Sequence, residues 1–247
     1  MKDESKKPRP QTADLKPQVP DLKYRKGDSS FIQHPSSGQP VEARELLGSL
    51  LSDLNQYPAR RDEIERQIRE AFERRVAILA LDMVGFSRLT IEYGIIHYLA
   101  MIHQMAAGAI PAINGNGGRV IKQEADNIFA IFNTPAQALE SALDIFRAFN
   151  AINSVVPAER DIFGSIGIGY GETLIIGEAD LFGSEMNLAC KLGEDLAGKS
   201  EILLTAAAHA ALPARRYVFE PVSFSISDIE IDCYRYERRR SAKPKRR

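Results

Sequence analysis

Cysteine is scarce in this chain: Cys190 and Cys233 are the two among 247 residues. They stand far apart, without metal-ligand spacing, which argues against a thiolate metal site and reads as two reduced thiols of an intracellular protein. Long apolar runs are also missing. No stretch approaches the ~20 residues that a membrane span needs, and the N-terminus lacks the apolar core of a signal peptide. A cytoplasmic protein without a membrane span is therefore expected. Nor is there an excess of either charge: 33 acidic side chains against 32 basic create no global field toward nucleic acid, and no nucleic-acid partner is expected. What the chain does have is 44% hydrophobic residues. That suffices for a core and one domain of roughly 100–200 residues with an appendage.

Residues 1–40 are polar and rich in Pro, Lys, Ser and Asp, and read as a disordered tail. A helical stem is expected over 41–75. Leu46, Leu47, Leu50, Leu51 and Leu54 fall at helical spacing on one face. Pro58 opens a second helix, where a first-turn proline is tolerated, with Ile64, Ile68, Ala71 and Phe72 as its stripe. Glu65 with Arg69 and Glu70 with Arg74 are acid-before-base pairs four apart, each worth ~0.3 kcal/mol. The helix runs into Val76–Leu81, an apolar run that reads as a fully buried strand.

After Ser87 the pattern is helical, with Ile95, Tyr98, Leu99, Ile102, Met105 and Ala109 as the expected apolar stripe. Tyr93, His97 and His103 are not arranged as metal ligands. The glycine-rich stretch 114–118 ends this helix. Two short strand patterns, 119–122 and 128–132, flank a polar hairpin tip at 123–127. Thr134-Pro135 is a cap followed by a first-turn proline, and the helix it starts shows a broad core face from Ala138 to Phe149. Gly164, Gly167, Gly169 and Gly171 punctuate an apolar stretch, 162–176. That suggests a bent strand or hairpin close to another backbone, or a phosphate cradle. A helix is expected from about Gly183, which puts Asn187 and Lys191 on one face. A short strand at 201–204, a short helix at 206–212 and two strands within 217–236 follow, then a basic tail, 237–247. The order β-α-β-β-α-β with extra strands predicts an α+β fold, a ferredoxin-like antiparallel sheet with helices on one face.

The chemistry centres on Asp82-Met83-Val84-Gly85-Phe86-Ser87. A carboxylate at the end of a buried strand, then a glycine turn, then a helix start, suits a cation and a phosphate. Glycine lets the backbone approach a ligand, and the helix start offers free N–H groups to an anion. A second acid, Asp126, stands on the hairpin tip some forty residues later.

Three segments together carry a resemblance. The chain over 76–236 resembles the class III nucleotidyl cyclase catalytic domain, bacterial type. Asp82 through Ser87 looks like that family's Asp-hydrophobe-x-Gly-Phe-Ser/Thr motif. Gly117-Gly118 through Lys122 to Asp126 looks like its Gly-Gly…Lys-x-x-Gly-Asp hairpin. Asp180, Gly183, Asn187 and Lys191 follow its Asp-x-x-Gly-x-x-x-Asn-x-x-x-Arg spacing. The resemblance implies that Asp82 and Asp126 bind two Mg²⁺ or Mn²⁺ ions, with the Met83 carbonyl assisting one. It implies that amides around Gly85 and Phe86 hold phosphate, that Lys122 and Asp180 read the purine of ATP, that Asn187 orients the ribose and that Lys191 stabilises the pentavalent transition state. The implied activity is an adenylate cyclase, converting ATP to 3′,5′-cyclic AMP and pyrophosphate at sites shared across a head-to-tail homodimer. The alternative is a weak or inactive cyclase-homology module that binds nucleotide or a partner. The pattern departs at Ala125, where the family has Gly, and at Lys191, where it has Arg. Lysine keeps the charge and loses the planar fork.

Overall fold

The computed structural model describes residues 40–85, 91–214, 216–226 and 229–237. The expected tails, except for their residues next to this region, together with Phe86 and Ser87, lie outside the described residues.

Helices α1 (Pro40–Gln56) and α2 (Arg61–Phe72) form the stem, joined by a 3-10 turn at Pro58–Arg60. Pro58 therefore opens the 3-10 turn and not α2 itself. Ile64, Ile68 and Phe72 are buried and pack with Leu47, Leu50 and Leu54. Leu46 and Leu51 remain 49% and 43% exposed, so the five leucines do not share one buried face. The ion pairs also run opposite to expectation. Arg61–Glu65, Arg66–Glu70 and Arg69–Glu73 place the base before the acid, while Arg74 donates to the carbonyls of Glu70, Ala71 and Glu73.

Strand β1 (Glu73–Met83) leaves α2 directly, because Glu73 is both the helix C-cap and the first extended residue. It is followed by α3 (Ile95–Gly115), β2 (Arg119–Glu124), β3 (Asn127–Phe132) and α4 (Pro135–Asn153). Thr134 caps α4 in a reciprocal capping box with Gln137. Then come β4 (Gly164–Ile176), β5 (Asp180–Phe182), α5 (Ser184–Cys190), a π-helical turn (Lys191–Leu196), β6 (Ile202–Thr205), α6 (Ala206–Ala210), β7 (Val218–Ile226) and β8 (Ile229–Glu237).

The sheet order is β2-β3-β1-β4-β6-β8-β7, with β5 on β4. Its first four strands keep the ferredoxin-like order expected from β-α-β-β-α-β. The sheet is mixed, since β4 and β6 pair in parallel. Helices also cover both faces, where the sequence suggested one. Ala77, Leu79 and Leu81 face α3 and α4, while Val76, Ile78 and Ala80 face Met186 and Ala189 of α5. Burial on both faces is why β1 reads as an unbroken apolar run.

On α3 the buried residues are Tyr98, Met101, Met105, Ala109 and Ile113. Ile95 and Leu99, expected in the stripe, are each 55% exposed. The glycines of β4 lie within one continuous strand. A Cβ on Gly167 would sit 2.0 Å from the Ala189 carbonyl oxygen and 2.6 Å from the Gly193 nitrogen. The row seats the backbone of α5 and the π turn, not a phosphate.

Candidate functional site

Asp82 stands one residue from the end of β1, opposite Asn127 of β3 and Ser165 of β4. This register sets it beside the β2–β3 tip, where Ala125 and Asp126 form the two-residue turn between the paired Glu124 and Asn127. The chain leaves β1 through Val84, whose N–H donates to the Phe163 carbonyl at 2.9 Å, and Gly85 at φ 102. That φ is open to glycine and disfavoured for other residues. At the tip, Ala125 takes φ 49, so the position where the resembled family has Gly holds a left-handed backbone here with an alanine.

Burial, reinforced by the charges of Asp126 and Glu194, raises the Asp82 carboxyl from 3.8 to about 7, against a Met83 N–H bond that favours ionisation. Glu194, on the π turn, is raised as well, first by burial and then by Asp195, with Asp126 contributing. The end of β1 is therefore a concentration of carboxylates under mutual repulsion. Such a donor set fits a hard divalent cation, which takes oxygen ligands and relieves that repulsion. Among the described residues, no cluster of three or more His, Cys, Asp or Glu has the arrangement of a metal site. A cation here would depend on Asp82, Asp126, carbonyl oxygens and substrate oxygens.

Tyr98 was expected only as core. It is 2% exposed, and its hydroxyl bonds Asp126, which with burial raises the phenol strongly. The available signal was a polar-tipped side chain in an apolar stripe, since a buried tyrosine hydroxyl needs a partner.

A second pair lies beside the first. Lys122 Nζ is 3.0 Å from Asp180 Oδ1 and 3.1 Å from Glu124 Oε1, and it lies 5.2 Å from the centroid of the Phe129 ring. Burial alone would lower the Lys122 pKa; the bonds to Asp180 and Glu124 outweigh it and hold the ammonium above its usual value. Asp180 is held in turn by the Leu181 N–H at 2.9 Å. An ammonium donor and a carboxylate acceptor thus stand together on β2 and β5.

Asn187 and Lys191 occupy α5 and the start of the π turn. Asn187 is exposed. Lys191 Nζ pairs with Asp195 Oδ2 at 2.6 Å, one turn on. The structure thus brings Asp82 to Asp126 and Lys122 to Asp180. It leaves Asn187 and Lys191 on a helix over the second face of the sheet. Met83 is buried beside Asp82. His97 bonds the Glu159 carbonyl through Nε2 at 3.0 Å, and Cys190 and Cys233 are free thiols.

No family model matches the chain. It is 28% identical over 148 residues, 60% of its length, to a Rhizobium meliloti (strain 1021) protein named provisionally as adenylate cyclase 3. It is 28% identical over 138 residues, 56% of its length, to an adenylate cyclase of Streptomyces coelicolor (strain ATCC BAA-471 / A3(2) / M145). The matched regions are 25% and 34% of those proteins, so the chain spans well under half of either relative. Among solved structures, an adenylate/guanylate cyclase/hydrolase from Silicibacter pomeroyi matches with a TM-score of 0.58 at 28% identity, covering 66% of this chain and 96% of that one. The guanylyl cyclase Cya2 matches with a TM-score of 0.59 at 16% identity, covering 70% and 95%. In sequence and in fold, the chain resembles the class III adenylate/guanylate cyclase catalytic domains.

Proposed function

We propose, from this resemblance to class III cyclase catalytic domains, that the chain is an adenylate cyclase converting ATP to 3′,5′-cyclic AMP and pyrophosphate. The observation that carries the reading is the presence of two groups in one fold, the repelling carboxylates Asp82 and Asp126 and the ion pair of Lys122 with Asp180, which two subunits arranged head to tail would bring to a common site. Lys122 and Asp180 read adenine, the ammonium donating to a ring nitrogen and the carboxylate accepting from the exocyclic amine. Backbone amides around Gly85 and Phe86 hold phosphate oxygens. The ribose 3′-oxygen attacks the α-phosphorus as its proton leaves, and the bond from that phosphorus to the pyrophosphate oxygen breaks. Asn187 orients the ribose, and Lys191 offsets charge on the pentavalent phosphorus. Two divalent cations, Mg²⁺ or Mn²⁺, held by Asp82, Asp126 and the Met83 carbonyl, would lower the cost of charge on both the attacking oxygen and the leaving pyrophosphate.

The site is shared by two subunits arranged head to tail, carboxylates from one and purine and helix residues from the other. Support comes from Ile91, Ile95, Ile96 and Leu99, which are 87%, 55%, 81% and 55% exposed near the start of α3. Exposed apolar side chains in one patch are characteristic of an association surface. The setting is the cytoplasm, supported by the two free thiols; no helix among the described residues is long and apolar enough to cross a membrane.

The test is turnover of ATP and GTP side by side, with Mg²⁺ and with Mn²⁺, across protein concentration. ATP conversion that rises faster than protein concentration is expected. Asp82→Ala and Asp126→Ala should each abolish it; wild-type turnover in either variant would remove the carboxylates from the mechanism. A second reading, a nucleotide-binding module with little turnover, is favoured by lysine at 191, where the resembled family has arginine, and by the left-handed Ala125. It predicts nucleotide binding without product.

A further inference from the structure

Strand β4 has a gap in its second edge. One edge pairs with β1 from Gly164 to Leu174. The other pairs with β6 from Ile166 to Ile168 and with β5 from Leu174 to Ile176. Between them, residues 169–173 have no strand alongside. A backbone N–H left bare in such a place needs an acceptor.

Glu185 supplies it. Its Oε2 accepts the Tyr170 N–H at 3.0 Å and the Thr205 hydroxyl at 2.7 Å. Thr205 is the last residue of β6, and its Oγ1 also accepts the Ala208 N–H at 3.2 Å, capping α6. One carboxylate therefore joins α5, the open edge of β4, the end of β6 and the start of α6. Glycine makes the approach possible: a Cβ on Gly169 would lie 2.6 Å from the Glu185 carbonyl oxygen, and one on Gly171 would lie 2.6 Å from Glu185 Cγ. The helix so held is the one that carries Asn187 two residues on and opens into the π turn at Lys191. Hydrogen bonds to a charged acceptor are the stronger kind, so this clamp is a directional constraint on a helix of only seven residues.

We propose that Glu185 is a positioning residue, fixing the height and rotation of α5 so that Asn187 and Lys191 are presented for turnover, while nucleotide affinity is set elsewhere. The proposal rests on the cyclase reading above. Purine contacts reside on Lys122 and Asp180, whose strands pair with β3 and β4 without passing through Glu185. Displacing α5 therefore lowers kcat and spares KM.

The experiment is steady-state kinetics on the full chain with ATP and Mn²⁺. Glu185→Ala should lower kcat by at least about tenfold, since misplacements of about 1 Å cost up to ~10²-fold, with KM changed by less than about threefold. Glu185→Gln keeps one acceptor oxygen and should recover part of kcat. On the residual turnover of a chain carrying both Asn187→Ala and Lys191→Ala, adding Glu185→Ala should cost less than about twofold, because both groups through which the effect passes are already gone. Unchanged kcat in a folded Glu185→Ala chain would overturn the proposal. So would an equal rise in KM, or a full additive loss on the chain lacking both Asn187 and Lys191 side chains. If Glu185→Ala does not fold, Glu185→Gln and Thr205→Val carry the same kinetic test. If the wild-type chain cyclises neither ATP nor GTP, the cyclase reading falls, and the clamp is judged by amide exchange. Tyr170 and residues 184–190 should then exchange at least tenfold faster in Glu185→Ala, or in Thr205→Val if that variant does not fold, and unchanged exchange would end the proposal.

Discussion

Asparagine at position 82 should make the metal-free protein more stable, by a margin that grows as pH rises from about 4 to about 7 and levels off above it. Asp82 ionises at about 7 in the fold against 3.8 ordinarily, through burial first and then Asp126 and Glu194. A carboxyl raised by folding contributes stability below its unfolded value and loses it as pH climbs through the folded value. At about 1.4 kcal/mol per tenfold change in proton affinity, holding Asp82 ionised in the fold costs at most about 4 kcal/mol, and less in practice because the half-buried carboxyl is partly screened by solvent. The loss develops between pH 4 and pH 7 and is complete above it. Asp82→Asn removes the ionisation and keeps the shape. Urea unfolding with chelator, at several values across pH 5–8, would measure the difference between variant and wild type, in which other titrations cancel. The variant should gain steadily on the wild type as pH rises. Mn²⁺ at pH 8 should restore the wild type and leave the variant unmoved, since a ligand of the folded state alone adds stability. A difference that is flat across pH, or a variant less stable at pH 8, would refute the reasoning.

The hairpin tip gives a second expectation. Ala125→Gly relieves a positive φ of 49 that costs an alanine about 1 kcal/mol, so the melting temperature should rise by about 2 °C in a chain of this size; a fall would show that the turn does not strain alanine. Gly167→Ala should do the reverse. Its Cβ would meet backbone atoms 2.0 and 2.6 Å away, an overpacking worth at least about 1–3 kcal/mol, and a melting temperature within 1 °C of wild type would mean that α5 does not rest on β4 as described.

Where sequence and structure agree, the pattern was set by both faces of an element at once. Val76–Leu81 is apolar throughout because helices lie above and below it, and Thr134 announces α4 because its side chain and that of Gln137 satisfy each other's backbone. Where they part, a periodicity was visible and its occupant was not. Gly167, Gly169 and Gly171 recur at the strand period, which marks a strip without side chains, but nothing local says that α5, some sixteen residues on, fills it. Ile95 and Leu99 recur at the helix period, yet the sheet ends before it reaches them, and they stay exposed. The stem shows the same limit in charge: Glu65 has an arginine four residues away on either side, and the structure pairs it with Arg61.

Lys191 is where this distinction bears on activity. From sequence, the concern was the loss of arginine's planar fork. The structure adds a competitor, Asp195, at 2.6 Å. That pair is substantially open to solvent, at 37% and 54% exposure, and exposed pairs of this kind contribute only ~0.2–1 kcal/mol. A triphosphate carries several negative charges and three phosphoryl groups' worth of acceptor oxygens, so it outcompetes a single solvated carboxylate for the ammonium. In the proposed reaction, Asp195 would therefore not hold Lys191 away from the triphosphate. In that proposed reaction, lysine offers one point charge where arginine would offer two parallel donors, and the loss would fall on the transition state and so on kcat, with nucleotide affinity little affected.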